Sequence, residues 1–263
     1  MPRNRPARIC AAILIASALL AGASPRALAQ AQAAPPKKAK APAKPRRDRP
    51  GTYMGRPIAD VMGFQGAEWL FRDSREQEEQ PDRMLDALKI QPGQTVADIG
   101  AGAGYTSLRL SKRVGPTGTV LATDVQVPML AMLADNAKAA GVTNIKPIRS
   151  TQAETKLPDG QVDLALMVDV YHEASDPEAL LQGLKKALKP GGRLVLVEFR
   201  GEDPEVPIKP EHKMTLAQVR KELEPQGFRF KESLEFLPWQ HIIIFEKPAD
   251  DTAVSKKAEA KPE

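Results

Sequence analysis

The strongest constraint on what this chain can fold into lies in residues 95–110, TVADIGAGAGYTSLRL. Val96-Ala97-Asp98-Ile99 is a short apolar run of the length and type of a buried strand. The chain then turns through Gly100-Ala101-Gly102-Ala103-Gly104 and continues with helical spacing, offering Tyr105, Leu108 and Val114 for packing. Glycine lacks a Cβ and accepts positive φ, so such a turn lets backbone approach a ligand closely. The first N–H groups of the following helix point into the same space, which makes the turn a cradle at the edge of a parallel sheet. The plain alternative is a tight connection between strand and helix. The glycines follow G-x-G-x-G, and Tyr105 stands where the third glycine of a dinucleotide fingerprint should be, which disfavours a nicotinamide dehydrogenase.

The rest of the chain alternates strand and helix. Residues 119–122 form a strand ending at Thr123-Asp124, Pro128 opens a helix closed by Gly141, and residues 144–148 form a third strand. Residues 162–170 read as a long apolar fourth strand. Asp176-Pro177-Glu178 starts a helix with a capping acid, Pro at the first position and an acid in the first turn. Leu180, Leu181, Leu184 and Leu188 line that helix, Pro190-Gly191-Gly192 ends it, and residues 193–199 make a fifth strand. This pattern predicts a doubly wound parallel sheet. The ending differs: residues 215–224 are helical, then strand runs at 228–236 and 241–245 are separated by only Leu237-Pro238-Trp239-Gln240. So short a link holds no crossover helix, and the pair is therefore antiparallel.

Both ends of the chain read as outside this unit. Arg3, Arg5 and Arg8 precede an apolar run at 9–23 and a small-residue site, Ala27-Leu28-Ala29, the layout of a secretory signal peptide cut after Ala29. An uncleaved anchor is the alternative, although the run is short for a membrane span. Residues 30–50, rich in Ala, Pro, Lys and Arg, read as a disordered basic linker, and 248–263 as a disordered tail. The expected location is periplasmic or secreted, with no integral membrane segment after processing. Of the net charge of +5, the leader holds +4, the linker +6 and the tail −1, leaving −4 for residues 51–247. That unit has no nucleic-acid footprint. The one cysteine, Cys10, lies in the leader, so the mature chain has no disulfide or thiolate site. Within 51–92, an aromatic-rich segment packs over the ligand mouth, Ser74 with Gln77 reads as a capping box, and Pro81 restarts or kinks a helix carrying Met84, Leu85 and Leu88.

The glycine spacing, with Asp98 two places before the first glycine, resembles motif I of the class I S-adenosylmethionine (SAM) methyltransferases. Residues 56–245 are also similar to exported bacterial proteins described as predicted methyltransferases, through GAEWLFRDSREQEEQPDRMLDAL, VADIGAGAGYTS, LMVDVYHE, LKPGGRLVLVEFR and PIKPEHKMT. The resemblance implies an α/β Rossmann-like methyltransferase fold. Its sheet is seven-stranded and mostly parallel, with a C-terminal antiparallel hairpin and helices on both faces. It implies SAM as cofactor, with contacts from Asp98, Gly100, Ala101, Gly102, Gly104, Tyr105, Asp124, Val125, Gln152, Ala153 and Asp169. Asp124 would hold the ribose hydroxyls, its other reading being a helix cap. Ala153 stands where the family often places an acid near adenine, and Gln152 or Glu154 is the substitute.

Methyl transfer needs chiefly alignment of nucleophile and methyl group, and a base only where the acceptor loses a proton. Asp169, Tyr171, His172 and Glu173 after the fourth strand, and Glu198 and Arg200 at the end of the fifth, are placed to face the cofactor. His172, Tyr171 and Glu198 are the catalytic candidates, His172 foremost because imidazole titrates near neutrality. A structural histidine is the alternative. No metal site is expected, since His172 and Glu173 are too few ligands and His212 and His241 lie far along the chain. Lys209, His212 and Lys213, in the insertion at 200–214, either receive an anionic acceptor or form a solvated loop. The sequence thus points to methyl transfer to a small-molecule acceptor. The alternative is an exported protein that binds SAM or S-adenosylhomocysteine without transfer.

Overall fold

The computed structural model describes residues 51–249. The leader and linker, and nearly all of the tail, lie outside the described residues.

The N-terminal segment pairs β1 (Thr52–Tyr53) with β2 (Arg56–Pro57) and continues into a 3-10 segment at Phe64–Phe71. Two short helices follow, α1 (Arg75–Glu79) and α2 (Pro81–Ala87), parted by Gln80 at φ 47°. Pro81 takes the first position of α2, where a missing N–H costs nothing, and so restarts the helix. The capping box at Ser74 does not form. Ser74 has helical dihedrals (ψ −20°) and no side-chain cap bond, whereas a capping residue needs extended backbone to aim its hydroxyl at the first turn.

The main unit runs β3 (Thr95–Ile99), α3 (Tyr105–Val114), β4 (Thr119–Asp124), α4 (Val127–Ala139), β5 (Ile145–Arg149) and β6 (Val162–Val168). It continues with α5 (Pro177–Ala187), β7 (Leu188–Arg200), β8 (Lys213–Met214), α6 (Leu216–Leu223), β9 (Arg229–Leu234) and β10 (Gln240–Glu246). The sheet order is β5-β4-β3-β6-β7-β10-β9, with β8 beside the end of β7. β5 to β7 are parallel, and β10 is antiparallel to both β7 and β9. The expected seven strands are present, and β8 adds an eighth. Pro190-Gly191-Gly192 sits inside β7, because Gly191 N–H donates to Lys247 O and Lys247 N–H to Gly192 O, stitching the turn to the end of β10.

Period-two alternation builds a core on each face of the sheet. Leu164, Leu166, Val195, Val197, Ile242 and Ile244 pack with Met84, Leu85 and Leu88 of the α2 region and Leu110 and Val114 of α3. Ala165, Met167, Leu194, Leu196, Ile243 and Phe245 pack with Leu180, Leu181 and Leu184 of α5 and Val219 and Leu223 of α6. Asp176 caps α5 as its sequence predicts, accepting the Ala179 N–H at 3.2 Å. The order reverses direction around β3, so the carboxyl ends of β3, β4, β6 and β7 border the crevice where open α/β sheets bind ligands.

Candidate active site

A cavity of about 630 Å³ opens against those strand ends. Ile99 at the end of β3 and Gly100 and Gly102 of the glycine turn line it, as do Thr123 and Asp124 at the end of β4 and Val125 and Gln126 after it. Gln152, Asp169, Val170, His172 and Glu173 contribute further wall, with Phe199, Lys209 and His212 from β7 and the insertion after it. Val61, Met62, Trp69 and Leu70 of the N-terminal segment join them, so this segment does cover the site. It is tied down there by Gln126, whose side chain accepts Phe64 N–H and donates to Met62 O, both at 2.9 Å.

The turn keeps its shape for reasons internal to the protein. Gly100 has φ +68°, and a Cβ there would lie 2.6 Å from Val170 Cγ2. Gly102 has φ +53°, and its Cβ would lie 2.9 Å from Leu70 Cδ1. These glycines are thus required by the close packing of Val170 and Leu70, themselves cavity-wall residues, as well as by any ligand. Asp124 Oδ2 accepts Gly102 N–H at 2.9 Å and Oδ1 accepts Gln126 N–H at 2.8 Å, so one carboxylate fixes two sides of the cavity. Burial pushes the Asp124 carboxyl up, against the pull of those backbone donors. A carboxylate has about four acceptor sites, so Asp124 keeps capacity for a hydroxyl group of a ligand beside its backbone donors.

Asp169 sits at φ 53°, with Oδ2 accepting Gln240 Nε2 at 2.7 Å. Its buried Oδ1 has no hydrogen-bond partner among the described residues, nor has the buried Thr123 Oγ1. Burial, and the nearby Glu79 and Glu198 carboxylates, raise the Asp169 carboxyl well above the usual range. Both orphaned oxygens belong to residues of the cavity wall.

His172 is 2 % exposed and held from several sides. Its Nδ1 lies 2.6 Å from Glu198 Oε2, and Glu198 Oε1 accepts the Tyr171 N–H at 2.9 Å. The His172 carbonyl accepts Arg56 Nη1 at 3.1 Å and Ala59 N–H at 3.0 Å. Its Nε2 lies 3.0 Å from His212 Nδ1. Burial alone would lower the His172 pKa, but the Glu198 charge and hydrogen bond outweigh it and the net shift is upward. His212 shifts down, through burial and through His172 beside it. Glu173, which accepts Met62 N–H at 3.2 Å, is pushed up to about 7 by burial, with His172 opposing.

Of the cofactor residues implied by resemblance, Gly100, Gly102, Asp124, Val125, Gln152 and Asp169 line the cavity; Asp98, Ala101, Gly104, Tyr105 and Ala153 do not. Asp98 is buried behind the turn and accepts the Ser107 hydroxyl at 2.6 Å. Ala101 spends its N–H on Thr123 O, and Gly104 is the left-handed residue opening α3 beneath Leu133. Tyr105 is buried, its hydroxyl on Glu76 and its ring against the Arg75 and Arg109 guanidiniums. Ala153 is exposed, and Glu154 pairs with Lys156. Gln152 faces the cavity together with Ser150 and Thr151, its Oε1 accepting Ser175 N–H.

The catalytic candidates separate likewise. His172 faces the cavity. Tyr171 is fully buried with its hydroxyl on Glu222, which also binds Arg56 at 2.7 Å, so it belongs to the fold's support and not to the wall. Glu198 does not line the cavity but holds His172. Arg200 turns away to the carbonyls of Leu237 and Gln240. Lys209 and His212 line the cavity, whereas Lys213 donates to Asp203 O. The expectation that His212 stands too far off to join His172 is overturned, because β8 pairs with the end of β7 and folds the insertion back. Arg75, another wall residue, gave no signal in the sequence beyond a place in the first turn of a helix.

Comparison with known proteins agrees with this geometry. The family described as a methyltransferase domain matches residues 96–192. The ubiquinone/menaquinone biosynthesis C-methyltransferase UbiE of Vibrio vulnificus (strain YJ016) is 30% identical over 116 residues, 44% of this chain and 45% of that protein. The protein of the same name from Enterobacter sp. (strain 638) is 31% identical over 116 residues, 44% of this chain and 46% of its own. The chain thus spans about half the length of these curated relatives. A SAM-dependent methyltransferase from Aquifex aeolicus superposes with TM-score 0.68 and 28% identity, over 71% of this chain and 100% of its own. Residues 96–192 thus carry a methyltransferase domain, and the fold is that of a SAM-dependent methyltransferase. SAM is the cofactor of such domains, and a fold relative of this chain, a Haemonchus contortus phosphoethanolamine N-methyltransferase (TM-score 0.55, 16% identity, over 71% of this chain and 57% of its own), is known in complex with S-adenosylhomocysteine. The wall of the cavity suits such a ligand. The orphaned Asp169 and Thr123 oxygens are acceptors awaiting a donor, and two carboxylates match a sulfonium that carries an ammonium group.

Proposed function

We propose that this protein transfers a methyl group from SAM to a small-molecule acceptor. The observation that carries the reading is the shared cavity. Asp124 and the glycine turn, which would take the nucleoside, and His172, which would meet the acceptor, border one volume of about 630 Å³. Asp124 would accept from the ribose hydroxyls with its remaining capacity, and Asp169 Oδ1 would take the methionine ammonium. SAM supplies the electrophilic methyl group; the chain supplies alignment, exclusion of water beneath the N-terminal segment, and a place for a proton at His172 Nε2. Glu198 holds the ring by Nδ1, leaving Nε2 beside His212 on the cavity wall. The names of the curated relatives support ring-carbon acceptors of the quinol type as the first class to assay.

Residues 1–29 support export to the periplasm or beyond, and a mature chain beginning at Gln30 by mass spectrometry is the matching test. Calorimetry with SAM and S-adenosylhomocysteine, followed by turnover over a panel of reduced quinones, phenols and thiols, tests the function. Binding with turnover is expected. Binding of both ligands without turnover on any acceptor makes the protein a nucleoside carrier, and binding of neither refutes the proposal.

A further inference from the structure

The chain has three histidines, and the fold brings two of them together at the cavity wall with a carboxylate. One ring nitrogen from each of His172 and His212 and one carboxylate oxygen of Glu173 lie within 4.8 Å of one another. The sequence places these residues on unrelated segments, a 3-10 turn after β6 and the insertion between β7 and β8. We propose that they form a binding site for a divalent first-row transition cation, open to the cavity in its remaining coordination position.

Distances, donor set and support around the ligands all favour this assignment. Metal–nitrogen bonds of about 2.0–2.1 Å hold two ligating nitrogens roughly 2.9 Å apart at a right angle and roughly 3.4 Å apart at a tetrahedral angle. His172 Nε2 and His212 Nδ1 are 3.0 Å apart, inside that window. Glu173 has to move in by roughly 1.5 Å from the outer limit to complete the triad, a rotation open to a partly exposed side chain. Two imidazoles and one carboxylate are a donor set that binds zinc or ferrous iron with positions left open. The support is the feature that a casual pair of surface histidines lacks. Ligating histidines characteristically give their other ring N–H to a carboxylate, which fixes tautomer and orientation. Glu198, fully buried, stands 2.6 Å from His172 Nδ1 and is itself oriented by the Tyr171 N–H. The His172 backbone is pinned in turn by Arg56 and Ala59.

All three ligands line the same cavity as Asp124 and Gly102, so the open position faces the volume that the methyltransferase reading gives to the acceptor. The role rests on that reading: the cation would hold an acceptor oxygen there. Binding of the cation does not depend on it. When the cation is bound, His172 Nε2 is a ligand and no longer receives a proton.

The test uses the full chain, purified without a histidine tag and stripped with EDTA. Zinc is titrated against a chromophoric chelator, and cobalt by visible absorption. Expected are one equivalent bound with Kd of about 1 µM or tighter, ligand-field bands of a four- or five-coordinate site, and a zinc-dependent rise in the unfolding midpoint. His212→Ala and Glu173→Gln should each weaken zinc by about 10- to 100-fold, with the midpoint in EDTA showing that each variant still folds. Binding weaker than about 10 µM, or unchanged in both variants, overturns the site and leaves a shared proton as the reason for the His172–His212 contact. S-adenosylhomocysteine titrated into wild-type protein in EDTA reports separately on the nucleoside reading.

Discussion

Asp98 offers a sharp test, because the resemblance treats it as part of the ligand site and the structure makes it part of the core. It is 2 % exposed and bound to the Ser107 hydroxyl. Burial raises its pKa from 3.8 to about 7, with Asp124 adding to the rise and Ser107 and Arg75 opposing it. A group whose pKa is higher in the folded than in the unfolded chain stabilises the fold at low pH, and that contribution is lost as pH rises through the folded value. For Asp98 the window therefore runs from about pH 4 to about pH 7. At about 1.4 kcal/mol per pKa unit, the contribution falls by roughly 2–3 kcal/mol between pH 5 and pH 8. Asp98→Asn keeps an acceptor for Ser107 and removes the ionisation. Urea unfolding of both proteins at several pH values should show the variant gaining on wild type by that amount across the interval. S-adenosylhomocysteine affinity at pH 7.5 should change by no more than about threefold, since the substituted amide would touch no ligand. A stability gap that stays flat with pH, or an affinity loss beyond about tenfold, refutes the argument and returns Asp98 to the ligand site.

Asp124→Ala removes the anchor of Gly102 and Gln126 together with the proposed ribose acceptor, and calorimetry should show S-adenosylhomocysteine affinity reduced by about 30-fold or more. Glu198→Gln takes the charge from behind His172: turnover should fall by about 10- to 100-fold with nucleoside affinity unchanged, a kcat effect that steady-state kinetics on any accepted substrate would resolve. Tyr171→Phe removes a hydroxyl from Glu222, which keeps Arg56, and should cost about 1–2 kcal/mol in urea unfolding while kcat stays within about twofold. A kcat loss of tenfold or more would restore Tyr171 as a participant.

The fold was legible because its signals are local or periodic. The glycine turn after β3, Pro177 behind the Asp176 cap, and the short link before β10 each dictate an element or its direction without reference to distant parts of the chain. Where reading failed, backbone geometry had the decisive role. Ser74 has capping chemistry but helical dihedrals, and Pro190-Gly191-Gly192 has helix-ending chemistry but is drawn into β7 by Lys247.

The site was half legible for a related reason. Residues that carry the family pattern were found by position, but position does not say which way a side chain points. Asp98 is the last residue but one of β3 and Asp124 the last of β4, adjacent strands that both lead into a turn; one is sealed beneath the turn by Ser107 and the other shapes the cavity. The meeting of His172 and His212 had no local signature at all. It follows from a two-residue strand, β8, extending the sheet beside Phe199 and Arg200 and so returning a polar insertion to the strand end it left. That return places a second imidazole at the open nitrogen of the one histidine whose other nitrogen is already bound to a buried carboxylate. A carboxylate behind one imidazole and a second imidazole before it sets this wall apart from the Asp124 side of the cavity, and on that arrangement rests the proposal that the acceptor meets His172.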